Sequence, residues 1–128
     1  MKYLLDTQVL LWFVNGDSKL PKKIIEQNIN TEHQIIVSHV SIWEIGIKHS
    51  IGKLTLKENL DYFIYNEIAS YNFSLLEIQL SHIIQTSFLP HHHRDPFDRL
   101  LISQSIIDNI PIISSDSTFD HYGINRIW

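Results

Sequence analysis

At 128 residues the chain has room for one domain and little else. Its composition, 44% hydrophobic and 19% charged, is that of a chain that buries a core, which excludes an extended disordered segment. The absence of cysteine excludes a disulfide framework or a thiolate metal site, and a formal net charge of −4 argues against a coat protein held on nucleic acid by bulk positive charge.

Lys2 to Leu5 is an apolar segment of strand length, and a helix-like run from Val9 to Val14 follows until Gly16-Asp17-Ser18 breaks it. Pro21 suits the first position of a helix through Ile29, with Ile24, Ile25 and Ile29 on one face. Gln34 to Ser38, with Ile35, Ile36 and Val37, reads as a buried strand. Helices are expected from Ser41 to about Ser50, ended by Gly52, and from about Lys57 to Ser70, where Leu60, Phe63, Ile64 and Ile68 make an apolar stripe. Phe73 to Leu76 reads as a short strand, and a helix carrying Leu80, Ile83 and Ile84 comes next. A polar loop, Pro90 to Arg94, leads through Asp95-Pro96 into a helix ending near Asp108. Ile110 to Ser114 and Ile124 to Ile127 are the last expected strands.

Strands separated by helices predict a single α/β domain over residues 1–128, a parallel sheet with helices on both faces. No stretch approaches the roughly 20 apolar residues of a membrane span. The polar Asp6-Thr7-Gln8 interrupts the apolar start, and Val9 to Val14 is too short for a signal sequence, so a soluble cytoplasmic protein is expected.

Sites in open α/β sheets form beyond the carboxyl ends of the strands, which singles out certain acids. Asp6 ends the first strand, Glu44 lies on the helix after the second, and Asp116 follows the strand Ile110 to Ser114. Asp98 sits near the start of the helix before that strand. Each alone has an ordinary role. Asp6 can cap the next helix, and Ser41-x-x-Glu44 is a capping-box pattern. Asp95 before Pro96 is a good N-cap, Asp98 then suits the helix dipole, and Asp116 can begin a turn. Together, the four can meet in one cleft, where clustered carboxylate oxygens suit Mg²⁺ or Mn²⁺ and the hydrolysis of phosphodiesters.

Four ordered motifs carry a family resemblance. Tyr3-Leu4-Leu5-Asp6-Thr7-Gln8-Val9-Leu10-Leu11-Trp12 resembles the opening motif of PIN domains, and Ser38-x-x-Ser41-Ile42-Trp43-Glu44-Ile45-Gly46-Ile47-Lys48 the second. His93-Arg94-Asp95-Pro96-Phe97-Asp98-Arg99-Leu100-Leu101-Ile102-Ser103-Gln104-Ser105 is similar to the third and is the most distinctive. Ile113-Ser114-Ser115-Asp116-x-x-Phe119-x-x-Tyr122 resembles the fourth. The motifs cover essentially the whole chain, and the group they most resemble is the VapC-like toxins of bacterial toxin–antitoxin pairs. Ser114 stands where the family often has Thr, and Ser103 and Ser105 where it often has Ala; the first keeps a hydroxyl and the others bear on helix packing.

The resemblance implies a compact three-layer α/β/α sandwich and Mg²⁺- or Mn²⁺-dependent cleavage of RNA, leaving 5′-phosphate and 3′-hydroxyl ends. It also implies inhibition by a small antitoxin protein; a homodimer stays open. Asp6, Glu44 and Asp98 would be the core metal ligands and Asp116 the fourth acid, with one or two ions and Asp95 at the edge left open. Thr7, Gln8, Lys48, Arg99 and Ser114 are candidates to position ligands or contact substrate, and Lys53 and Arg94 to hold the RNA backbone. His91-His92-His93 lacks zinc-ligand spacing and reads as a polar loop, while Trp12, Trp43 and Phe97 are expected in the core. A metal-dependent phosphatase of the aspartyl-phosphate type would want a second Asp where Gln8 stands. A DNA-directed nuclease and a non-catalytic PIN-like module that binds RNA or a partner remain as alternatives.

Overall fold

The computed structural model describes residues 1–128. Five short strands, β1 (Lys2–Leu5), β2 (Gln34–Ser38), β3 (Ser74–Leu76), β4 (Ile112–Ile113) and β5 (Arg126–Ile127), form one sheet in the order β3-β2-β1-β4-β5. All four pairings are parallel. Parallel neighbours require crossovers, and the helices supply them: α1 (Thr7–Asn15), α2 (Lys22–Ile29), α3 (His39–Ser50), α4 (Leu60–Tyr62, continuing as a π-helix over Phe63–Ile68), α5 (Leu80–Thr86) and α6 (Pro96–Asp108). A 3₁₀ helix, Ser117–Tyr122, joins β4 to β5.

Alternation along the central strands divides the core into two layers. Tyr3 and Leu5 of β1, Ile35 and Val37 of β2 and Ile113 of β4 point to one face, where they meet Val9, Leu10, Ile24, Ile45, Phe63 and Ile68. Leu4, Ile36 and Ile112 point to the other, against Leu89, Leu101, Ile102 and Phe119. Both faces are covered, so the β1, β2 and β4 sequences are continuously apolar rather than alternating. This is the three-layer α/β/α arrangement expected. No helix is long and apolar enough to cross a membrane.

Several details depart from the sequence reading. Pro21 is the N-cap of α2 rather than its first residue. The helix α3 starts at His39, and Ser38 caps it by accepting from the Val40 amide, so Ser41-x-x-Glu44 is not a capping box. On α5 the polar His82 turns inward and is fully buried, while Leu80, Ile83 and Ile84 face outward. Trp12 and Phe97 pack partly buried against the two core layers, but Trp43 is 51% exposed. The strand order reverses direction between β1 and β4, which places a crevice at their carboxyl ends.

Candidate metal centre

Asp6 leaves β1 as the chain turns into α1. Its side chain makes no cap bond to that helix, and instead its Oδ2 accepts from Ser114 Oγ at 2.8 Å across the β1–β4 junction. The register explains the contact, since Leu5 pairs with Ile113 and the next residues of each strand emerge side by side. Asp6 is nearly buried. Burial drives its pKa from 3.8 up to about 6, against the Ser114 hydrogen bond and with the charges of Glu44 and Asp116 adding to the rise.

Glu44 lies on the buried side of α3. One turn on, Lys48 Nζ approaches its Oε2 at 2.6 Å; this hydrogen bond holds the ammonium above its ordinary pKa. The other oxygen, Oε1, is buried without any hydrogen-bond partner. Asp98 stands in the first turn of α6, whose cap is Asp95, accepting from the Phe97 amide at 2.8 Å, with Pro96 at the start. The cap being taken, the Asp98 carboxylate is left for the crevice. Burial, then the charges of Asp6, Asp95, Glu44 and Asp116, raises its pKa from 3.8 to about 7.

Asp116 caps the 3₁₀ helix, its Oδ1 accepting from the Thr118 amide at 3.0 Å. Its Oδ2 lies 2.9 Å from His93 Nε2. Burial pushes this carboxyl upward, but the His93 and Thr118 hydrogen bonds outweigh it and hold the pKa below the usual value. Asp6, Glu44, Asp98 and Asp116 therefore come from four separate elements and meet at one place, where the charges of Glu44 and Asp116 bear on Asp6 and those of Asp6, Glu44 and Asp116 on Asp98. Ligand atoms of His93, Asp98 and Asp116 lie within 4.8 Å of one another.

The donor set fits a hard divalent cation. Carboxylate oxygens dominate it, one of them is buried with nothing to bind, and two of the acids resist ionising beside their neighbours. Each of these features is unfavourable in the free protein and would be relieved by a cation.

Residues expected to meet substrate fall into two groups. Thr7 and Ser114 are buried, and their hydroxyls donate to Ser41 Oγ (2.9 Å) and Asp6. Arg99 binds four backbone carbonyls: Pro90 and Thr86 at 2.8 Å, Leu89 at 3.3 Å and His93 at 3.4 Å. The Thr7, Ser114 and Arg99 side chains thus hold neighbouring groups of the protein, Ser114 directly on Asp6. Lys48 is half-exposed on Glu44, while Gln8, Lys53 and Arg94 are exposed with no hydrogen bond from their side chains. Sequence reasoning missed His93, which it left in a polar loop; the available signal was its place at the head of the third motif, five residues before Asp98.

The PIN domain family model matches residues 3–125. The chain is a PIN domain. Solved structures agree on the fold at low sequence identity. Over 99% of this PIN domain, a chain of DNA-bound VapBC from Salmonella typhimurium superposes with a TM-score of 0.73 at 17% identity, 97% of that chain being covered. VapBC2 from Rickettsia felis, bound to a DNA fragment from its promoter, gives 0.73 at 15% identity over 99% of this chain and 98% of that one. FitAcB from Neisseria gonorrhoeae gives 0.68 at 10% identity over 98% and 96%. No curated protein matches the sequence.

Proposed function

We propose that this PIN domain is a metal-dependent endoribonuclease acting in the cytoplasm as the toxin of a toxin–antitoxin pair, with Asp6, Glu44, Asp98 and Asp116 as its metal-binding acids. The observation that carries the reading is the buried, partnerless Glu44 Oε1 beside two carboxyls whose pKa values rise to about 6 and about 7. A protein with only a fold to maintain would gain by removing such a cluster.

A bound Mg²⁺ or Mn²⁺ would neutralise charge on the scissile phosphate and acidify a water for in-line attack. The chain's own residues hold that arrangement. Ser114 fixes Asp6, the Ser38 cap places α3 and with it Glu44, and Asp95 takes the cap of α6 so that Asp98 stays free. Beside the cluster lies a cavity of about 650 Å³ whose lining includes Trp43, His91, His93 and Arg94. A half-exposed indole next to Glu44 with an exposed arginine nearby suits an unpaired base and its phosphate. That favours single-stranded RNA over a duplex.

The antitoxin reading rests on the VapBC and FitAB-type structures together with outward apolar residues on and after α5, namely Leu80, Ile83, Ile84 and Phe88. Exposed apolar residues grouped in this way suit a protein partner, either an antitoxin or a second copy of the chain.

RNA cleavage by the purified protein tests the reading, with Mg²⁺ or Mn²⁺, with EDTA, and with Asp6→Asn beside wild type. Cleavage should require metal and vanish in the variant. If wild type binds RNA without cutting across tRNA, rRNA and mRNA, or the variant cuts equally well, the chain is a binding module instead. Preference for DNA would overturn the substrate assignment alone.

A further inference from the structure

His93 is fixed on several sides before it reaches Asp116. Its carbonyl accepts from Arg99, its ring meets the buried Phe119 edge-on with centroids 5.0 Å apart, and Tyr122 lies beside it at 27°. The Tyr122 hydroxyl is 3.0 Å from Nδ1. These contacts select a tautomer. An ionised carboxylate can only accept, so the proton between His93 and Asp116 belongs to Nε2. In the neutral ring Nδ1 is then an acceptor, and the phenol of Tyr122 is its donor. Tyr122 O–H donates to Nδ1, and Nε2–H donates to Asp116 Oδ2.

Asp116 needs such a partner more than the other acids do. Its side chain is 40% exposed and projects from a 3₁₀ turn, whereas Asp6 and Glu44 are held in buried positions. The Thr118 amide fixes one oxygen and leaves rotation about the carboxylate; His93 fixes the other. An ionised carboxylate has about four acceptor positions, so two hydrogen bonds leave lone pairs for a cation.

Building on the reading of the cluster as a divalent-cation centre, we propose that His93, oriented by Tyr122, is a positioning residue that holds Asp116 toward the cluster through Nε2–H and is not itself a metal ligand. Its nearness to Asp98 and Asp116 would also suit a ligand, but both ring nitrogens are engaged, one as donor to Asp116 and one as acceptor from Tyr122. The four carbonyls gathered by Arg99 extend the support, because they pin the loop from which His93 projects.

Mn²⁺ titration calorimetry on the whole protein, with folding checked by circular dichroism, separates the roles. His93→Ala should weaken Mn²⁺ binding about tenfold or more, the range typical of lost outer-shell partners. His93→Gln, whose amide nitrogen can take the place of Nε2, should restore most of the affinity. Tyr122→Phe should lose a few-fold. Nitrogen-15 NMR of the metal-free protein should show His93 protonated at Nε2, and pulsed EPR of the Mn²⁺-loaded protein should show no directly bound nitrogen. Unchanged affinity in His93→Ala, no recovery in His93→Gln, an Nδ1-protonated tautomer, or a nitrogen bound to Mn²⁺ would each overturn the proposal. Wild type that binds no Mn²⁺ would instead overturn the centre itself, and this proposal with it.

Discussion

Replacing Asp98 by Asn removes a carboxyl that burial and four neighbouring acids raise to about 7, while leaving a group of the same shape at the start of α6. In metal-free protein at about pH 8 the wild-type group is charged at a cost, and the variant carries none. Asp98→Asn should therefore be more stable than wild type in EDTA, by roughly 2 kcal/mol after allowance for solvent screening. The advantage should shrink toward about pH 5, where wild-type Asp98 is already protonated in the folded state. RNA cleavage should fall by more than the roughly hundredfold typical of an outer-shell change. Denaturant melts at the two pH values check the first part, and an Asp98→Asn protein less stable than wild type at the higher pH would show that the cluster is not strained. A residue that improves the free fold when removed and abolishes activity is the signature of a site held against its own repulsion.

At the scale of elements, α3 and α6 are tied by one hydroxyl. Ser38 Oγ accepts from the Val40 amide, starting α3, and donates to Gln104 Oε1 of α6 at 2.5 Å. Gln104 also donates to the Glu77 carbonyl at 3.2 Å, and the Ser38 and Gln104 side chains are both fully buried. Ser38→Ala should cost about 1–2 kcal/mol through the lost cap, and Gln104→Ala about 1–3 kcal/mol through buried partners left unpaired. Because they share a bond, the double variant should cost less than the sum of the singles; strict additivity in thermal or denaturant melts would show that the tie carries no energy. That bond also shows what the sequence could tell. The apolar runs of β1 and β2 and the Asp95-Pro96 start of α6 were readable because period, cap and proline agree locally. The start of α3 was misplaced because Ser38 and Ser41 are equally good caps in sequence, and only the bond to Gln104, 66 residues away, shows how the first is held. Strands β4 and β5 are two residues long, too short for any period to mark their ends, and the π-helical stretch after α4 leaves no distinct pattern. Trp43 was assigned to the core by residue type, and tertiary context reversed that. The four acids were singled out through family motifs more than through chemistry, since each also fits a local structural role. His93 lay in a motif and was still missed, because its function depends on Tyr122 and Asp116 arriving from the far end of the chain.

For the whole molecule, the cluster couples folding, pH and metal with a definite sign. Asp6 and Asp98 titrate at about 6 and about 7 in the folded chain and near 3.8 when unfolded. Between these limits the folded state holds more protons than the unfolded one, so rising pH favours unfolding. The lowered Asp116 acts with the opposite sign, but only below its ordinary value, and the raised Lys48 contributes stability that is complete below its unfolded pKa of 10.5. Neither falls in the window of interest. In EDTA these two acids should therefore make the melting temperature decline from about pH 4 to about pH 7 and level off above. A cation held by the ionised cluster and not by the unfolded chain would add stability by mass action, and would add more as the carboxyls ionise. Saturating Mn²⁺ should consequently raise the melting temperature little near pH 5 and by several degrees near pH 8, flattening or reversing the decline. Thermal melts across that range with EDTA or Mn²⁺, repeated on Asp6→Asn, give the decisive comparison. The variant should start higher in EDTA above about pH 6 and gain less from Mn²⁺ at every pH. A Mn²⁺ effect that is independent of pH, or undiminished in Asp6→Asn, would mean that the ion binds elsewhere and that the acids at the crevice are not its ligands.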